Sequence, residues 1–252
     1  MDALHLLSGA GMIVAALATV VYWKVRSNIP WILFLWGALA WIVGVTLKAV
    51  ASIPSQTIIN GVRDILPRYL SEPVLWIYIG LLTGIFEGGA ALGFAFIRKI
   101  RTASWREVIG FGLGFGALEA FLLGVVAFVL VLLIILAPDK LPPELLQLVT
   151  EGDDSLLAIP APIIERITAI LIHAFSCLLI VYAVQVKAWK WFWVSFFYKT
   201  AVDSIAGFIH LTYGVENLTT LGVWVMEFSL LPFGIVGGWG LWAFQRKWPS
   251  VA

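Results

Sequence analysis

Charge is what this chain has least of. Asp, Glu, Lys and Arg together make up 12% of its 252 residues, against about a quarter in an ordinary soluble domain. The 16 basic and 15 acidic residues nearly cancel to a net charge of +1, so there is no basic stripe on which a nucleic acid would be a partner. Cysteine is nearly missing: Cys177 stands alone inside an apolar run, which excludes a disulfide framework. The start of the chain lacks the cationic stretch of a secretory leader. It carries only Asp2 before its first apolar run, which therefore reads as a retained helix.

What fills the space is hydrophobic. Apolar residues make up 61% of the chain and the mean hydropathy is +0.98, which places it among polytopic membrane proteins. Seven segments are long enough to span a bilayer: 3–23, 30–50, 73–97, 108–136, 161–186, 191–211 and 220–244. The expected fold class is all-α, a single transmembrane bundle of seven helices over 1–252.

Orientation follows from the cations between the segments. Lys24, Arg26, Arg98, Lys99, Arg101, Arg106, Lys187, Lys190, Arg246 and Lys247 collect on one side, and only Arg63, Arg68 and Lys140 on the other. Lys48, Arg166 and Lys199 fall within segments. The alternation predicts an outside N-terminus and a cytoplasmic C-terminus. Trp23, Trp31, Trp105, Trp189, Trp191, Trp242 and Trp248 flank the inner ends, and Trp76 and Trp224 the outer ones, as an interfacial belt requires. The expected location is the cell membrane of a bacterium or archaeon, with membrane lipid as the first partner.

The long connections both fall outside. In one, Ser55 is placed to cap a short helix with Ile58, Ile59, Val62, Ile65 and Leu66 on one face, suited to lying in the interface. The other, 137–160, is acidic and Pro-rich, with a second surface helix expected over 141–149. Each reads either as a solvated connector or as an entry surface for a lipid-borne substrate. Asn217-Leu218-Thr219 matches a glycosylation tripeptide, which carries no meaning in a bacterium.

The fourth segment opens on Gly110-Phe111-Gly112-Leu113-Gly114-Phe115-Gly116-Ala117-Leu118-Glu119-Ala120. Gly110 with Gly114, and Gly112 with Gly116, fall one turn apart, so two faces can admit a neighbouring backbone. Glu119 follows at roughly 17 Å into the segment, at ~1.5 Å per residue. Counted inward from the cytoplasmic ends, Glu87, Glu119, His173, Lys199 and Asp203 all reach between roughly 12 and 20 Å, the middle of a ~30 Å core. A charge there costs at least ~2.5 kcal/mol, so one shared polar site explains the common depth better than separate accidents. Each residue also has a purely structural reading. Lys199 and Asp203, spaced i,i+4, are expected to pair on their own helix, and an intramembrane histidine such as His173 can be a helix–helix contact. The glycines beside Glu87 (Gly80, Gly84, Gly88, Gly89) imply tight packing. His210 and Glu227 count nearer the outer surface and read as wet or interfacial.

Taken in order, Phe86-Glu87-Gly88-Gly89-Ala90-Ala91, Gly112 to Ala120, Glu165-Arg166 through His173, and Lys199 through Asp203 resemble the motif set of the YhfC family. That family belongs to the superfamily of type II CAAX prenyl endopeptidases, which also holds the seven-helix scaffold subunit of γ-secretase. The resemblance covers most of the chain, including Trp36-Gly37-Ala38. It implies an intramembrane protease in which a glutamate at the Glu87 position activates water. Glu119, His173 and Asp203 match its further polar positions. Three positions depart: the family usually has Arg at Ala91 and His at both Phe115 and Lys199. Phe115 cannot ligate a metal, and a protonated Lys199 has no lone pair to offer. No metal or other cofactor is therefore expected. Phenylalanine at that place is also what the γ-secretase scaffold shows, and that subunit is regarded as non-catalytic.

Three functions follow as expectations. In a hydrolase, an intramembrane endopeptidase acting on a membrane protein, Glu87 would be the general base. Glu119 or His173 would position the water, and Lys199 would stabilise the oxyanion. A degenerate relative would use the same polar centre to bind a partner's transmembrane segment. A transporter or proton path is the third, and the lack of paired repeats weighs against it.

Overall fold

The computed structural model describes residues 3–142, 155–214 and 219–249, and all regular structure among them is helical. Within lipid a backbone has no water to bond to, so each apolar run closes its hydrogen bonds on itself as a helix. The α-helices are α1 (Leu6–Ser27), α2 (Trp31–Ala51), α3 (Ser55–Ile65), α4 (Arg68–Ala95), α5 (Arg98–Arg101), α6 (Trp105–Leu136), α7 (Pro160–Gln185), α8 (Lys190–Tyr213) and α9 (Thr220–Gln245). With the turns that extend them, α1, α2, α4, α6, α7 and α9 form six helices long and apolar enough to cross a membrane. Helix α8 has 24 residues but carries Lys190, Lys199 and Asp203, which lower its hydropathy. The protein is an all-α polytopic membrane protein. Its outward face shows why: Val14, Leu17, Val126, Phe197, Ile235 and Trp239 are exposed on it, a surface only lipid tails would cover.

The helix ends follow local chemistry. Helix α6 starts on a capping box in which Ser104 and Glu107 satisfy each other's free groups. Helix α1 stops where Asn28 takes a left-handed conformation (φ 51°). Helix α4 begins at Arg68, five residues before the expected Pro73, because a proline near the start of a helix forfeits only one backbone bond. Ser55 does not cap α3; Pro54 holds that position. The Ser55 hydroxyl instead lies 2.9 Å from that of Tyr78, and Arg63 grips Glu72 with two bonds of 2.9 and 3.2 Å, so α3 is pinned to α4. The surface helix expected over 141–149 and most of the Asn217 tripeptide lie outside the described residues. Thr219, the last of that tripeptide, caps α9 by accepting from the Gly222 N–H.

The glycine stretch of α6 works on two faces. A Cβ on Gly112 would lie 2.7 Å from the Ala174 Cα of α7, and one on Gly114 would lie 2.7 Å from the Phe34 Cα of α2. Helix α6 thus sits in backbone contact with both neighbours, and α7 is buried along most of its length. Helix α4 packs on α8 through Gly80 and Gly84, which lie against Ser204 and Thr200. Gly88 and Gly89, expected to serve the same packing, face open space.

The cation-rich end is tied across helices by its tryptophans. Trp23 donates to the Arg106 carbonyl (3.0 Å), Trp105 to Leu241 (2.9 Å) and Trp248 to Ala103 (3.3 Å). At the opposite end Trp224 donates to Leu157 (3.1 Å). These indoles, read from the sequence as a belt, also serve as cross-helix bonds.

Candidate functional site

The bundle encloses a cavity of about 430 Å³. Glu87, Glu119, His173, Lys199 and Asp203, the five residues singled out by depth, all line it, on α4, α6, α7 and α8. Alternating helix direction made them equal in depth; the rotational phase of each helix turns them to one point. Trp41 and Lys48 join from α2, and Glu165 and Arg166 from α7. Leu122, Leu123 and Val126, which are also exposed on the outside of α6, form an apolar wall. The site is a polar floor under a cavity whose side adjoins lipid.

Glu87 lies deepest, only 4% exposed. Lys48 Nζ reaches its Oε1 at 2.5 Å, and Lys199 Nζ its Oε2 at 3.2 Å. Glu119 accepts from Trp41 Nε1 (2.9 Å), from His173 Nε2 (2.9 Å) and, through its other oxygen, from Arg166 (2.8 Å). Arg166 also pairs with Glu165, the adjacent residue. With His173 Nε2 facing a carboxylate and Nδ1 lying 3.2 Å from the Lys199 ammonium, the partners assign the Nε2–H tautomer, with Nδ1 as acceptor. Phe115 is buried and packs on the imidazole at 5.1 Å between ring centres, where it offers no ligand.

Two expectations change. Lys199 and Asp203 were expected to satisfy each other along α8; Lys199 instead meets Glu87 and His173. Asp203 accepts from Thr83, and Lys48 donates to that same Thr83 hydroxyl (3.2 Å) while lying 4.0 Å from Asp203. The physical reason is that α4 packs so closely on α8 that a cross-helix carboxylate competes with the one a turn away. Glu227, expected to be wet, is 4% exposed, and its Oε2 has no hydrogen-bond partner among the described residues. Counting from a helix end gives depth but not the face, and Glu227 occupies an inward one. His210 is exposed, as expected.

Sequence reading missed Lys48, Thr83 and Trp41. Lys48 gave the same signal as Lys199, a cation inside an apolar segment, but near that segment's end it passed for an interfacial residue. Thr83 and Trp41 gave none, because both residue types occur freely in membrane helices.

Glu87, Glu119 and His173 bring one ligand atom each within 4.8 Å of one another, a spacing that a metal ion could bridge. The donors, however, are engaged by the protein's own cations. Lys48 and Lys199 hold both Glu87 oxygens, and Lys199 also covers His173 Nδ1. A metal ion at this point would face the Lys199 ammonium, and two unit charges about 4 Å apart repel by about 4 kcal/mol at an effective dielectric near 20. A divalent ion would double that. The residues present do not fit a metal ion while Lys199 stands there.

No curated protein and no solved structure matches this chain. The family model described as YhfC intramembrane metalloprotease matches residues 11–225, a span that contains every one of the five residues above. The chain is a member of the YhfC family.

Proposed function

We propose that this chain is a membrane receptor for a peptide segment of another membrane protein, a YhfC-family bundle that holds its ligand on the polar floor without a metal. The observation that carries this reading is the saturation of the floor. Lys48, Lys199, Arg166, Trp41 and His173 satisfy Glu87 and Glu119 from within the protein. The side of the cavity supports a membrane-borne ligand, since Leu122, Leu123 and Val126 belong at once to the cavity wall and to the outer surface. Its size limits what enters. A helix with side chains is ~10–12 Å across, too wide for about 430 Å³. The occupant is therefore an unwound stretch of a few residues, whose backbone carbonyls can accept from Lys48 and Arg166. The bundle is read as seven spans with the N-terminus outside, which places the cavity mouth on the outer half.

A second reading, hydrolysis, is favoured by one observation: Glu119 orients the His173 imidazole at 2.9 Å beside Glu87. In that case Glu87 is the base for a water and Lys199 faces the developing oxyanion.

A fluorescent single-span peptide in liposomes with the purified protein tests both. Saturable energy transfer from peptide to protein, abolished by Val126→Trp and giving no shorter product, is the expected result. Cleavage that disappears with Glu87→Gln would replace the receptor by the hydrolase. Absence of both binding and cleavage across a panel of such peptides would end both readings.

A further inference from the structure

We propose that Lys199 is a resident cation: its ammonium holds the place among Glu87, Glu119 and His173 that a divalent metal ion would take, so the chain contains a latent metal site closed by its own side chain. The three potential ligands lie within 4.8 Å of one another, a convergence that a buried packing contact does not require. Two carboxylates and an imidazole are also a donor set that suits zinc, whose sites mix nitrogen and oxygen ligands. Lys199 Nζ sits 3.2 Å from Glu87 Oε2 and 3.2 Å from His173 Nδ1, against the lone pairs a metal would use. The ammonium is buried and reaches its partners across a helix boundary, although Asp203 is available one turn along α8.

The second ring of partners agrees with this assignment. Trp41 and Arg166 donate to Glu119, and Lys48 donates to Glu87, each from outside the triad. Such outer contacts fix the orientation of ligating groups in metal centres. Here they hold the same groups around an ammonium. Without Lys199 the floor would keep the carboxylates of Glu87, Glu119, Glu165 and Asp203 with only Lys48 and Arg166 to balance them. That deficit of positive charge is what would draw in a divalent ion.

The inference rests on the same polar floor as the proposed function but not on what the cavity receives, so a metal titration can fail without touching the receptor reading. Zinc chloride is titrated by calorimetry into the detergent-purified, full-length chain. The wild type should bind at least 100-fold more weakly than Lys199→Ala, which should take one zinc ion per chain. Adding His173→Ala to Lys199→Ala should lower the affinity by at least 100-fold again. If Lys199→Ala does not survive extraction, Lys199→His is judged by the same criterion. A wild type that binds one zinc tightly, and loses it with His173→Ala, overturns the proposal. So does a folded Lys199 variant that binds zinc no better than the wild type.

Discussion

Glu87 carries an ammonium on each of its oxygens, from Lys48 and Lys199, and is among the most buried charged groups of the bundle. Removing one partner of a buried pair leaves the other uncompensated, at ~3–5 kcal/mol. Lys199→Met should therefore lower the unfolding temperature clearly, and Glu87→Gln in the same background should recover part of the loss. Asp203→Leu in that background should not, since Asp203 bonds to Thr83 and faces Lys48. Thermal unfolding of the single and double variants in detergent reads this directly, and rescue by Asp203→Leu would place the Lys199 partner on α8 after all. Glu227 is the opposite case. A buried polar atom without a partner costs ~1–3 kcal/mol, so Glu227→Leu should raise the unfolding temperature. A drop would mean that Glu227 has a partner in the membrane.

At the scale of the helices, α6 determines where the floor can form. Its two glycine faces let α2 and α7 approach until Trp41 and Arg166 reach Glu119 from opposite sides. A side chain at Gly112 would meet the Ala174 backbone and force the helices apart; overpacking of this kind costs typically ~1–3 kcal/mol, more where backbone is struck. Gly112→Val should thus destabilise the bundle. Gly89→Ala meets nothing within 4 Å and should be neutral or mildly stabilising, as alanine favours a helix by up to ~1 kcal/mol over glycine. Equal losses in the two variants, compared by unfolding in detergent, would contradict this account of α6.

For the molecule as a whole, the cations and tryptophans predict the sidedness. Trp23, Trp105 and Trp248 bind together the end that carries Arg98, Lys99, Arg101 and Arg106. Cationic ends stay cytoplasmic during insertion. A reporter fused after Ser250 should read cytoplasmic, and one inserted near Gly152 external. Reporters on the same side would require an even number of crossings between them, and the α8 segment would be the one to reassign.

The sequence by itself determined the class, because long apolar runs in lipid have no alternative to the helix. It also determined the depth of the polar residues, since rise per residue is nearly constant. It made the two-faced packing of α6 legible through glycines one turn apart. Pairing was decided only by the tertiary structure. Depth is a one-dimensional quantity, whereas whether Lys199 meets Asp203 along its own helix or Glu87 across α4 depends on how two helices are rotated and how closely they pack. The same holds for Lys48, Trp41 and Thr83, whose residue types announce nothing, and for Glu227, whose depth was read but not its face. The two missing histidines could be seen in the chain. That an ammonium stands between the remaining ligands is a fact of three helices brought together.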